Sequence, residues 1–218
     1  MSDHGHEELS FWRKYVFSVD HKVIGLQYML TSFVFLLIGF SMVLLMRWQL
    51  AYPGQPLPLL GKLLSLDAAP GGVIGPTLYN QLGAMHGTIM VFLGIVPLGV
   101  GAFGNYVLPL QIGAPDMAFP RMNMASYWMY LPGGLLMLLS FLLPGGAAQS
   151  GWTSYPPLAV INPGQTMWLF AMVFLITSSL LGSINFIVTT LNLRAPGMTL
   201  WRMPVFVWAQ FVTAFLLL

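Results

Sequence analysis

The sequence contains no cysteine and very few charged residues. Without cysteine the chain has no disulfide framework, no thiolate metal site and no cysteine nucleophile. Charged residues make up 6% of the chain, against roughly a quarter in an ordinary soluble domain, while 57% of its residues are hydrophobic. So few charges cannot cover a soluble surface, and the mean hydropathy of +0.77 agrees. The composition therefore predicts an integral membrane protein. The net charge of +2 is too small and too scattered to indicate nucleic-acid binding.

Five apolar segments are predicted to be membrane helices. They cover residues 23–46, 82–112, 126–143, 165–193 and 204–218. A bilayer core requires about twenty helical residues, so the fifth segment is too short to cross it. We therefore expect a single transmembrane domain over 1–218 that is the N-terminal piece of something longer, or one half of a split polypeptide.

Lysine and arginine are distributed unequally between the two sides of these spans. Six lie on the side of the N-terminus: Arg13, Lys14, Lys22, Arg121, Arg194 and Arg202. Only Arg47 and Lys62 lie on the other side. Positive charge is retained inside, which predicts a cytoplasmic N-terminus, or a matrix one in an organelle. The predicted location is the bacterial plasma membrane, with loop 113–125 inside and loops 51–78 and 144–164 outside.

A single histidine, His86, lies within the apolar run LGAMHGTIM (82–90), a few residues into the second predicted span. A polar group buried in hydrocarbon costs free energy unless it has a partner. One interpretation is a neutral imidazole hydrogen-bonded to a neighbouring helix, and the other is a metal or haem ligand. Gly83 and Gly87 favour the second because they would let a flat macrocycle approach the helix, although small residues also simply pack helices together.

Arg47 ends the first predicted span on the same side as His86. It is either an interfacial arginine that snorkels to the membrane surface, or a guanidinium that binds a carbonyl or carboxylate oxygen close to the histidine.

A second group of polar residues lies towards the inner side. Asp116, in the loop IGAPDMAFPRMN (112–123), is either a solvated partner of Arg121 or the mouth of a proton pathway. The polar residues inside the neighbouring spans are Asn105, Asn123, Ser178, Ser179 and Asn185. Ser178 and Asn185 are two helical turns apart and can share one face. As a set these side chains favour a file of water molecules, with helix packing as the alternative.

Two further patterns are set aside. Gly99, Gly101 and Gly104 spell GxGxxG, but they lie inside a membrane span with no preceding strand, which excludes a dinucleotide site. His4 and His6 could bind a metal, but a terminal tail is the better interpretation.

Six segments resemble subunit I of the haem-copper oxidases, most closely the A-type cytochrome c oxidases. They are DHKVIG (20–25), LGAMHGTIMVF (82–92), GNYVLPLQIGAPDMAFPRMN (104–123), GWTSYPPL (151–158), SSLLGSINF (178–186) and PVFVWA (204–209). The resemblance implies an all-α membrane protein, namely the first four helices and the start of the fifth in a twelve-helix bundle.

The resemblance also implies roles for individual residues. His86 would be an axial ligand of the low-spin haem a, and Arg47 would bind the formyl group of that haem. Asp116 would be the carboxylate at the mouth of a proton pathway that continues through Asn105, Asn123, Ser178, Ser179 and Asn185. Trp152 and Tyr155 would lie near the haem propionates and the binuclear centre.

The other metal ligands of the family belong to later helices. The high-spin haem a3 and copper B are therefore expected only in the complete subunit, and the 218 residues are not expected to be active alone. The implied partners are the rest of subunit I, subunit II with its dinuclear copper, subunit III, cytochrome c and membrane lipid, with no nucleic acid.

The implied function is that of a proton-pumping terminal oxidase, in which electrons from cytochrome c pass through the low-spin haem to a haem-copper centre that reduces O2 to water. A quinol oxidase is the first alternative. Those relatives carry an arginine, an aspartate and a histidine where this sequence has Ile38, Met42 and Leu78, although Gln81 matches them. A nitric oxide reductase would not be expected to keep the Asp116 pathway. A noncatalytic membrane scaffold or transporter half is the alternative from another class.

Overall fold

The structure is a computed structural model that describes residues 10–58 and 69–218. Five helices make up most of the described chain: α1 (His21–Ala51), α2 (Pro76–Ile112), α3 (Pro120–Leu142), α4 (Pro163–Asn192) and α5 (Val205–Leu217). The first four are long and apolar enough to cross a membrane. The predicted all-helical architecture of four long spans and a short fifth is confirmed.

Each long helix begins before the apolar segment that predicted it, and in α1, α2 and α3 the added first turns contain polar residues. The second helix begins at Pro76. The prediction began only at residue 82, because Asn80 and Gln81 lower the local hydropathy. Proline occupies the first position of α2, α3 and α4, where its missing N–H is not needed. At the start of α4 the Asn162 side chain also accepts a hydrogen bond from the Gln165 backbone at 3.2 Å.

Hydrogen bonds between loops and helices define two ends of the bundle. At the inner end, where α1 begins, the backbone N–H of Ala195 donates to the Ile112 carbonyl at 2.8 Å and joins the α4–α5 loop to the end of α2. At the outer end, where α1 finishes, Gln81 Nε2 of α2 donates to the Gly145 carbonyl at 2.7 Å. Trp152 and Tyr155 belong to the loop at this outer end.

Glycines allow the helices to approach closely. A Cβ atom at Gly101 of α2 would lie 2.8 Å from the Tyr28 ring, and one at Gly104 would lie 2.8 Å from the Phe186 ring. Two of the three glycines of the GxGxxG pattern therefore make room for aromatic side chains of α1 and α4, in agreement with a packing role.

Two prolines inside α2 cannot donate the usual hydrogen bond to the carbonyl four residues earlier. Pro97 cannot donate to the Leu93 carbonyl, and α2 widens into π-helical turns on both sides of it, over Ile89–Ile95 and Pro97–Gly104. The buried hydroxyl of Tyr130 on α3 donates to that same Leu93 oxygen at 2.6 Å. A side chain of another helix thus replaces the missing N–H.

The second proline of α2 is compensated in the same way. Pro109 cannot donate to the Asn105 carbonyl, and the Nδ1 atom of His21 lies 2.8 Å from that oxygen. A carbonyl oxygen only accepts, so Nδ1 of the buried His21 ring carries the hydrogen. His21 therefore ties the first turn of α1 to the inner part of α2.

Candidate functional site

His86 lies ten residues after the start of α2, further from the first residue of the helix than the sequence pattern predicts, because the helix starts earlier. Its Nδ1 atom is 2.8 Å from the carbonyl oxygen of Gly39 on α1. Since that oxygen can only accept, Nδ1 carries the ring hydrogen and the Nε2 atom of the neutral ring keeps its lone pair. Among the described residues no hydrogen bond to Nε2 is found. The ring is thus bonded to a neighbouring helix through one nitrogen and free to act as a ligand through the other.

The two glycines beside His86 have different surroundings. A Cβ atom at Gly83 would lie 3.2 Å from the terminal methyl group of Met46, so Gly83 makes room for α1. A Cβ atom at Gly87 would meet no atom within 4 Å in the described part of the chain. Only Gly87 therefore provides open space of the kind that a flat ligand requires.

Arg47 is exposed and lies eight residues after Gly39 on α1, about 12 Å further along the helix axis towards the outer end. The structure places the guanidinium and the His86 ring in the same half of the bundle, but it does not bring them into hydrogen-bond contact. The exposed guanidinium remains available to an acceptor outside the described residues.

These residues fit one face of a haem. Metal-bound histidine ordinarily donates its other ring N–H to an oxygen, which is the state in which the structure holds His86. In the described ranges no group of three or more His, Cys, Asp or Glu side chains is arranged to hold a metal ion. A haem would not need such a group, because the macrocycle itself supplies four ligands of the iron and His86 could supply another.

The inner polar residues surround a pocket of about 230 Å³ between α1, α2, α3 and α4. Three of the predicted pathway residues line it, namely Asn105, Ser178 and Ser179. Tyr28 and Ser126 line it as well, although the sequence analysis named neither as a site residue.

Hydroxyl groups at this pocket form a connected chain. The Tyr28 hydroxyl donates to Ser126 Oγ at 3.1 Å, and Ser126 Oγ donates to the Asn123 carbonyl at 2.7 Å. Because the single hydrogen of Tyr28 is used in this way, the 3.1 Å contact with Ser178 has Ser178 Oγ as its donor. This series of hydrogen bonds runs from Ser178 on α4 through Tyr28 on α1 to Ser126 and Asn123 at the inner end of α3.

Two asparagines near these hydroxyl groups have amide atoms without a hydrogen-bond partner among the described residues. Asn123 is fully buried, and among the described residues neither its Oδ1 nor its Nδ2 atom has a partner. Asn105 donates from Nδ2 to the Gly101 carbonyl at 2.6 Å, but its buried Oδ1 atom has no partner there. Unpaired buried amides are costly, and they are the groups to which internal water binds. Both side chains are therefore suited to holding water beside the pocket.

Asp116 and Asn185 lie closer to the inner surface. The carboxylate of Asp116 is half-buried and accepts a hydrogen bond from the Met117 backbone at 2.7 Å. Asn185 is fully buried, and both ends of its amide are bonded to the backbone of Phe119, at 2.9 Å and 3.2 Å. Asn185 therefore holds the loop that carries Asp116, a role that no sequence pattern indicates.

Trp152 and Tyr155 lie in the outer loop with 58% and 73% of their surfaces exposed. The Trp152 ring centre is 5.9 Å from that of Phe92 on α2. Buried Gln165 fixes the loop, since it accepts from Ser150 Oγ at 2.7 Å and donates to Ser154 Oγ at 2.8 Å. The two exposed aromatic rings are thus presented on a fixed loop. His4, His6 and Lys62 lie outside the described residues.

Comparison with known proteins identifies the family. The model of the family "Cytochrome C and Quinol oxidase polypeptide I" matches residues 23–218. Cytochrome c oxidase subunit 1 of Thermostichus vulcanus is 47% identical over 95% of the chain, and that of Synechocystis sp. is 45% identical over 95%. The probable cytochrome c oxidase subunit 1-alpha of Streptomyces avermitilis is 46% identical over 94%. The chain covers 35%, 35% and 33% of these relatives, so it spans about a third of their length.

Proposed function

Because the chain belongs to the cytochrome c and quinol oxidase polypeptide I family, we propose that it forms part of the catalytic subunit of a proton-pumping terminal oxidase. It is an integral membrane protein with four candidate spans. In this proposal the outer half of the bundle holds the low-spin haem and the inner half takes up protons. The observation that carries the proposal is the His86 ring, whose Nδ1–H is bonded to Gly39 and whose Nε2 lone pair has no partner among the described residues.

His86 would supply one axial ligand of haem a, and Arg47 would bind the formyl group of that haem. Donation from Nδ1–H to the Gly39 carbonyl fixes the tautomer and the ring orientation, and it raises the basicity of Nε2. When bound, the haem supplies one-electron redox chemistry. The high-spin haem a3 and copper B would be held by parts of the complete subunit outside these residues.

The inner residues would conduct protons from Asp116 towards the centre of the bundle. His86 and Asn105 are 19 residues apart on α2, which corresponds to about 28 Å along the helix. A charge added inside a low-dielectric interior is costly unless an opposite charge compensates it. Polar groups that admit protons to the interior would supply that compensation. The Tyr28, Ser126 and Ser178 hydroxyls are suited to the task, together with the Asn123 amide and the Asn105 Oδ1 atom, which have no partner among the described residues.

Cytochrome c is the proposed electron donor, through a dinuclear copper centre on subunit II, with subunit III as a further partner. The relatives compared above are named cytochrome c oxidases. Gln81, the residue shared with quinol-oxidising relatives, is buried and donates to the Gly145 carbonyl, so it serves the outer loop. Met42 of α1 is buried in an apolar cluster between the helices, and its side chain carries no charge that could bind a quinol.

A reduced-minus-oxidised optical spectrum of the purified, assembled complex tests the haem assignment. The expected result is the set of bands of haem a. Bands of haem b alone would overturn the proposal in favour of a quinol oxidase or a nitric oxide reductase, and the absence of any haem would favour a noncatalytic scaffold.

The Asp116→Asn substitution in the assembled enzyme tests proton uptake. Turnover should slow and pumping should be abolished, because the amide cannot release a proton. Asp20→Asn is the matched control, since Asp20 is another carboxylate at the inner end and asparagine can still cap α1. An unchanged ratio of pumped protons to electrons in Asp116→Asn would contradict the assignment.

A further inference from the structure

Two side chains of α4, one helical turn apart, hold the backbone of the loop between α2 and α3. Thr189 Oγ1 accepts a hydrogen bond from the Ala118 N–H at 2.9 Å. Asn185 Oδ1 accepts from the Phe119 N–H at 2.9 Å, and its Nδ2 donates to the Phe119 carbonyl at 3.2 Å. Both side chains are fully buried. We call this pair the α4 clamp.

The clamp is organised within α4 itself. The Thr189 hydroxyl donates to the Asn185 carbonyl at 2.6 Å, which directs its oxygen lone pairs away from the helix and towards the Ala118 N–H. The two clamp residues are four positions apart, so they lie on the same helix face. They receive the N–H groups of two consecutive loop residues, and the hydroxyl and the amide therefore act on one short stretch of backbone.

The loop between α2 and α3, residues 113–119, forms no helix or strand of its own. It lies between the end of α2 at Ile112 and the start of α3 at Pro120. Asp116 precedes Ala118 by two residues and its carboxylate is bonded to the intervening Met117 N–H. The position of the Asp116 carboxylate therefore depends on the clamp, because Asp116, Met117 and Ala118 are consecutive and the clamp holds Ala118.

We propose that Thr189, together with Asn185, is a positioning residue that fixes the Asp116 loop at the mouth of the proton pathway. The inference rests on the proposed role of Asp116 in proton uptake. It assigns the Asn185 amide to the loop backbone, where both of its ends are already engaged, and it gives Thr189 a part in uptake that the sequence does not indicate. Proton transfer depends steeply on geometry, and a displacement of about 1 Å can cost a reaction about a hundredfold in rate.

The test is the substitution Thr189→Val in the assembled oxidase. Valine has the shape of threonine but cannot accept from the Ala118 N–H. Thr189→Ser restores the acceptor. Thr177→Val is the matched control on α4, because within the described ranges the Thr177 hydroxyl bonds only to the Val173 carbonyl of its own helix. The measurements are the rate of proton uptake in a single turnover, followed with a pH-indicator dye, its pH profile, the haem spectrum and the thermal midpoint of the complex.

We expect Thr189→Val to slow proton uptake by about tenfold or more and to displace its pH profile, with the haem spectrum unchanged. Thr189→Ser and Thr177→Val should behave like the wild type. If Thr189→Val does not assemble, Thr189→Ala is measured in the same way. A wild-type rate and pH profile in the valine or alanine variant, or a slowed rate that serine fails to restore, would overturn the inference.

The Asp116→Asn variant separates this inference from the function on which it rests. If Asp116→Asn slows uptake and the Thr189 variants do not, only the clamp is wrong. If Asp116→Asn leaves uptake unchanged, the proposed pathway itself fails, and the role of the clamp in uptake fails with it.

Discussion

The Nδ1 atom of His86 and the carbonyl oxygen of Gly39 lie 2.8 Å apart and join α2 to α1. This contact determines which ring nitrogen carries the hydrogen, and hence which one can bind a metal. It also makes the orientation of the ring depend on the distance between the two helices. Changes at Gly39 should therefore alter the haem site without touching His86.

Enlarging Gly39 is expected to weaken haem binding. A Cβ atom at this position would lie 2.8 Å from the Met90 sulfur and 3.4 Å from the side chain of Ile89. Gly39→Ala can be accommodated by movement of the flexible Met90 side chain, whereas Gly39→Val would push α1 away from α2 and lengthen the bond to His86. We expect Gly39→Val to retain haem about 10- to 100-fold less well, as measured by haem a content per assembled complex. Equal haem content in Gly39→Val and the wild type would show that the ring does not depend on this carbonyl.

Gly87 gives a test of where the macrocycle lies. Because a Cβ atom at Gly87 would meet no atom of the described chain within 4 Å, we expect Gly87→Leu to leave the helical bundle intact. If the haem occupies the open space there, the leucine side chain should displace it. Gly99→Leu is the control, since Gly99 also faces open space on α2 but lies 13 residues from His86. Loss of the low-spin haem in both variants, or in neither, would contradict this placement.

Tyr130→Phe is expected to destabilise the complex. It removes the hydroxyl that donates to the Leu93 carbonyl, to which Pro97 cannot donate. An unpaired buried carbonyl costs about 1–3 kcal/mol, so the thermal midpoint of the complex should fall. Pro97→Ala restores a backbone N–H, and the double variant should recover part of the loss. Strictly additive effects of the two substitutions would exclude this compensation.

Hydropathy and charge predicted the helical architecture, because the spans must be apolar whatever their partners are. The predicted limits were too short wherever polar residues lie inside a helix end. Asn80 and Gln81 belong to α2, and Arg121 and Asn123 belong to α3, although each lowers the local hydropathy. The side-chain partner of Gln81 comes from a loop 64 residues away, and no local pattern can reveal such a partner.

The sequence also predicted only some of the candidate site residues. His86, Asn105, Ser178 and Ser179 stood out because a polar side chain in an apolar run requires a reason. The parts played by His21 and Tyr130 depend on prolines of another helix, and the clamp of Asn185 and Thr189 depends on the path of a loop. Such roles arise only when distant segments meet.

The assignment of His86 as the haem ligand is tested most directly by low-temperature electron paramagnetic resonance of the oxidised, assembled complex carrying His86→Ala. His21→Gln is the control, since His21 also donates from a ring nitrogen to a carbonyl of α2 but lies at the inner end. We predict that His86→Ala abolishes the low-spin ferric haem signal and that His21→Gln retains it. An undiminished low-spin signal in the His86→Ala complex would contradict the assignment.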